Sequence, residues 1–73
     1  MAATGPVHSD PEILGGVPVF VGTRVPFQTL MDYLEEGQPL AEFLADFPTV
    51  RRDQAVAALE EAKEAFLAHA RPA

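Results

Sequence analysis

A chain of 73 residues with no cysteine holds one domain at most, and neither disulfides nor thiolate metal sites can reinforce its core. Eleven acidic residues against five basic ones give a net charge of −6, a field that repels nucleic acid and anionic membranes and suits a basic protein partner. With 48% hydrophobic and 22% charged residues the composition is globular rather than disordered.

A chain this short buries only about 60% of the surface its unfolded form exposes, so helix packing or self-association has to support the core, and a homo-oligomer is expected. Residues 1–6 carry neither the positive charge nor the apolar stretch of a signal peptide and read as a disordered lead. The absence of cysteine fits a cytoplasmic location. No apolar run approaches the roughly 18 residues of a membrane span, so no membrane partner is expected.

A single domain is expected over residues 7–68. Ser9-Asp10-Pro11-Glu12 reads as a turn or a short helical start, since Ser9 or Asp10 can cap and Pro11 suits a first helical position. Gly15-Gly16 breaks any helix there. Residues 17–26 then form the expected β-segment: Val17-Pro18-Val19-Phe20-Val21 is apolar and β-branched, and Pro18, with no amide donor, points to a strand paired on one side only. Gly22-Thr23 resembles a two-residue type II′ loop, joining Val19–Val21 to Arg24-Val25-Pro26 as a hairpin too small to stand alone.

From Pro26 the hydrophobic period changes. Phe27, Leu30, Met31 and Leu34 share one helical face and predict a helix over 27–36, ended by Gly37. Leu40, Phe43, Leu44 and Phe47 predict a second over 39–47, between Pro39 and Pro48. A third, over 51–68, carries Ala55, Leu59, Ala62 and Phe66 on one stripe, with alanines that let another helix approach closely. Residues 69–73 read as a tail. The fold class is therefore mainly α: a short N-terminal β-hairpin or β-segment, then a compact three-helix bundle whose second and third helices have helix-turn-helix lengths.

No catalytic constellation is visible, so neither an enzyme nor a cofactor or metal is expected. His8 and His69 lie near opposite ends, and Glu35-Glu36 and Glu60-Glu61-Glu64 fall on faces opposite the apolar stripes. Arg51, Arg52 and Gln54 are the DNA-binding candidates, because a helix-turn-helix reader places base-contacting side chains at this helix start and Arg and Gln can form bidentate contacts with guanine and adenine. Arg at a helix N-terminus opposes the dipole, which asks for another reason for its presence. The alternative is a solvent-facing pair beside Asp53, or arginines meeting carboxylates on a protein. Arg24 is either a structural arginine bonding carbonyls or Asp32, or a partner-binding residue together with Val19, Phe20 and Val21.

The run from Asp10 to Pro26, with Gly15-Gly16, Pro18 and Gly22-Thr23-Arg24-Val25-Pro26 at fixed spacing, resembles the bacterial family called domain of unknown function 433. The likeness extends over about residues 7–67. It implies a β-element followed by a homeodomain-like or winged-helix-like helical domain, and a role as an antitoxin that silences a PIN-like ribonuclease toxin and binds operator DNA as a dimer. Members usually begin the third helix with Thr and acidic residues, where this chain has Val50-Arg51-Arg52-Asp53-Gln54-Ala55. The expected function is thus an antitoxin-like module that adds a strand, Val17–Val21, to a basic ribonuclease. The alternative is a homodimeric helix-turn-helix repressor without a toxin partner.

Overall fold

The computed structural model describes residues 5–70, so the expectations for 1–4 and 71–73 lie outside the described residues. A short antiparallel hairpin, β1 (Val7–His8) and β2 (Val19–Phe20), precedes three helices, α1 (Phe27–Glu35), α2 (Leu40–Asp46) and α3 (Arg52–Ala70). The expected class, mainly helical with an N-terminal β-hairpin, is the one observed.

The hairpin differs from expectation in its strands and in its turn. Val7 pairs with Phe20 and His8 with Val19, so β2 finds its ladder partner upstream rather than after Gly22. It is also held on its other side: Phe20 N donates to Val25 O at 2.9 Å, Val19 bridges to Pro26, and Phe27 N donates to Pro18 O at 3.1 Å. β2 is therefore central, not the one-sided strand that Pro18 suggested. Pro18 sits just before the strand and contributes only its carbonyl, so its missing amide interrupts nothing.

The turn runs from Phe20 to Thr23, with Thr23 N donating to Phe20 O at 3.0 Å. Gly22, at φ 84°, is third of its four residues, the place where a type II turn needs positive φ. A type II′ loop would have had Gly22 second. Thr23 secures the corner, its hydroxyl donating to Phe20 O and accepting from Val25 N, both at 2.9 Å. Upstream, Leu14–Gly16 makes one tight turn, and Ser9 Oγ donates to Gly16 O across the loop.

The helices follow the periodicity within two residues of the expected ends. Pro26 and Pro39 precede α1 and α2 in extended conformation, as their fixed φ allows. Gly37 at φ 86° ends α1 in a Schellman motif, with Gln38 N donating to Tyr33 O at 2.9 Å and Gly37 N to Leu34 O at 3.1 Å. α3 reaches Ala70, which places His69 in its last turn rather than in a tail. Pro6 likewise is no disordered lead, since its carbonyl accepts from Val21 N at 3.0 Å.

The core lies where the sheet meets the helices. Phe20, Leu30, Phe43, Val50, Ala55 and Ala58 form one buried cluster. Phe43 is its aromatic hub, with ring centroids 6.0 Å from Phe20, 5.1 Å from Phe47 and 5.5 Å, edge-on, from Tyr33. Val19 is equally buried but stands outside that cluster. Strand alternation turns it, with His8, to the opposite face of the ribbon.

Candidate interaction surfaces

The partner-binding candidates in the β-segment separate by burial. Val19 and Phe20 are 0% exposed, and their backbones are occupied on both sides. Val21 donates to Pro6 O and accepts from Gln54 Nε2, so it too is satisfied within the chain. Strand addition at Val17–Val21 is consequently unavailable in this fold, because a sheet can only be extended from an unpaired edge.

The three DNA-binding candidates also part company. Gln54 is only 7% exposed and faces inward, its Nε2 donating to Val21 O at 2.9 Å and Pro6 O at 3.2 Å. Its Oε1 accepts from Arg51 N at 3.5 Å, the reach of an N3 residue back to the N-cap amide in a capping box. Gln54 is thus a structural staple between α3 and the ribbon and has no amide left for a base edge. Its position three residues into the helix was the sequence signal for this role, hidden because the N-cap residue is Arg51 rather than Ser or Thr.

Arg51 precedes α3 and is exposed, its Nε 3.1 Å from Asp53 Oδ1. That contact half-neutralises the basic cluster. Arg52, the first residue of α3, is exposed and makes no ion pair among the described residues. Together they do not assemble the three-residue reading head that the helix start suggested.

Arg24 is exposed and makes neither of the structural bonds considered for it: Asp32 Oδ1 instead accepts from Gln28 Nε2 at 2.9 Å. It lines a surface groove of about 470 Å³ together with His8, Ile13, Gly22 and Thr23.

A further surface went unforeseen as a surface. The stripe Ala55, Leu59, Ala62, Phe66 begins in the core and ends in the open: Ala55 is buried, Leu59 and Ala62 are half-buried, and Phe66 is 71% exposed, with Leu67 beside it also exposed. The body of the domain ends before the helix does. Ala58 and Ala62 share an apolar groove with Pro6, Val7 and Phe27 along the last covered turn. The periodicity identified the stripe, but not how much of it the other elements are long enough to cover. Glu61 and Glu64 are exposed on this half of α3, and Lys63 is engaged with Glu60 at 3.0 Å. Among the described residues, no group of three or more His, Asp or Glu could hold a metal ion, and no helix is long and apolar enough to cross a membrane.

A two-stranded ribbon stapled to three helices, with the most exposed of its large apolar residues, Phe66, on the last helix, defines a small, mainly helical domain. The chain belongs to the family described as "Protein of unknown function (DUF433)", which it matches over residues 7–62. It is similar to the crystal structure of a DUF433 member protein from Anabaena variabilis, with 30% sequence identity and a TM-score of 0.71 over 84% of this chain. The match covers 60% of that protein's length. No curated protein matches the chain.

Proposed function

We propose that this protein is an antitoxin-like binding module that captures a basic protein partner, a PIN-like ribonuclease, through the projecting half of α3. One observation carries the reading: the core-facing stripe of α3 continues past the core and ends in Phe66, 71% exposed, beside the carboxylates of Glu61 and Glu64. An apolar anchor rimmed by charge is the usual composition of a protein-binding patch. Charge favours a basic partner over a second copy, since two copies of a −6 chain would bring like-charged glutamates together. Inhibition is steric, covering the partner's RNA path, and needs no chemistry from this chain. The operator-DNA reading loses support, because Gln54 is committed to the fold and Arg51 contacts Asp53.

The test is co-expression with the product of the neighbouring gene. A stable complex that suppresses ribonuclease activity is expected, weakening as salt rises. Phe66→Ser should abolish it while shifting stability by no more than about 0.5 kcal/mol, as for other exposed substitutions. No complex, or a complex indifferent to Phe66→Ser, removes this reading. A chain that sediments alone as a dimer through α3 replaces it.

A further inference from the structure

The second surface lies at the groove between the ribbon and the loop that precedes it, where strand alternation puts His8 on the face opposite Phe20. We infer that the groove lined by His8, Ile13, Gly22, Thr23 and Arg24 is a binding site for a carboxylate carried on a short apolar body.

Three features converge there. Arg24 has no carboxylate partner among the described residues, in a chain where acidic residues outnumber basic ones by more than two to one. A guanidinium left unpaired in such a chain offers a fork that matches a carboxylate with two parallel hydrogen bonds. Next, His8 Nε2 is buried and has no hydrogen-bond partner, an unmet need of the kind native folds rarely leave. His8 lines the groove, and a turn of the ring about the soft Cβ–Cγ torsion is the motion by which that nitrogen would meet a ligand there. Finally, Ile13 supplies an apolar wall, and Gly22 leaves the floor open, since a Cβ built there meets nothing within 4 Å. Thr23 contributes shape only, its hydroxyl being committed to Phe20 O and Val25 N.

The protein's net charge selects between anions. Repulsion from a −6 chain falls more heavily on a phosphate dianion than on a singly charged carboxylate, and the Ile13 wall favours a ligand with carbon behind its charge. The ligand is a free short-chain carboxylic acid or the terminal carboxylate of a peptide ending in an apolar residue. This site is separate from the α3 stripe, so either can fail without the other.

The test is an amide-resolved NMR titration of the full chain with hexanoate, with an acetylated peptide ending in leucine, with hexanamide and with inorganic phosphate, all at constant ionic strength. Saturable millimolar shifts confined to Ile13, Gly22, Thr23 and Arg24, with a change at the His8 ring nitrogens, are expected for hexanoate or the peptide and not for hexanamide. The tighter of the two carboxylates identifies the source. Arg24→Gln should weaken binding at least tenfold with the melting temperature unchanged, and Arg24→Lys should fall between. Tighter binding of phosphate, equal binding of hexanamide, undiminished binding by Arg24→Gln, or shifts that never saturate would each overturn the assignment.

Discussion

Gln54 shows how one side chain can carry the join between two parts of a small fold. Its amide supplies donors to the carbonyls of Pro6 and Val21, which bracket the ribbon, while its oxygen receives the amide of Arg51. Removing it leaves the partly buried Val21 carbonyl without its donor, while Pro6 O keeps the amide of Val21, and leaving one such group unmet costs about 1–3 kcal/mol. Gln54→Ala should therefore lower the denaturant midpoint by an amount equivalent to about 2 kcal/mol, and Gln54→Leu, which fills the space without donating, should recover little of it. A change below about 0.5 kcal/mol would show that water takes over the Val21 carbonyl. Read along the sequence, Gln54 is one polar residue among exposed neighbours, and its polarity suits a DNA contact as well as a carbonyl. The choice depends on residues 33 and 48 positions away, which local patterning does not contain.

At the scale of elements the helices were legible and the ribbon only in part. Each helix has its period, its proline entry or its glycine exit written into adjacent residues, and these are local forces. The ribbon depends on pairing across the turn at Leu14–Gly16, and Val7–His8 carries too few residues to show any alternation. The join between α1 and α2 is testable at Tyr33, whose hydroxyl donates to Asp46 Oδ2 at 2.6 Å. That hydrogen bond first, then desolvation and the negative charge of Asp46, raise the phenol above its ordinary value near 10. A folded-state value above the unfolded one means that the stabilisation is fully present below about pH 10 and is lost as pH climbs through the folded value. Tyr33 is the chain's single tyrosine, so tyrosinate absorbance reports it alone. Asp46→Ala should return its titration towards that of a free tyrosine, with Asp46→Asn between the two. An unmoved titration curve would mean that the bond does not persist in solution.

Across the whole molecule the interior is small enough to depend on one ring. Phe43 touches Phe20 from the ribbon, Tyr33 from α1 and Phe47 beyond α2. Truncating a buried phenylalanine costs about 3–5 kcal/mol, against a total near 5 kcal/mol for a domain of this size. Phe43→Ala should accordingly lose its cooperative thermal transition, whereas Phe43→Leu should keep one at a lower midpoint; a cooperative melt in the alanine variant would mean that the core closes over the gap. The overall class was legible because it rests on helix period and proline placement. The interaction surfaces were less so, because exposure at Phe66 and vacancy at Arg24 are set by where other elements stop.

The bonds from Gln54 to Pro6 and Val21 also set an order of events during synthesis. The ribbon leaves the ribosome before α3 does, yet the carbonyl of Val21 has no donor until residue 54 has followed, and Pro6 O has only the amide of Val21. A nascent chain halted before that point carries a hairpin of two-residue strands, too short to hold by itself. The join between ribbon and helices therefore closes late, and any nascent-chain binder has the carbonyl of Val21 within reach until the start of α3 arrives to meet it.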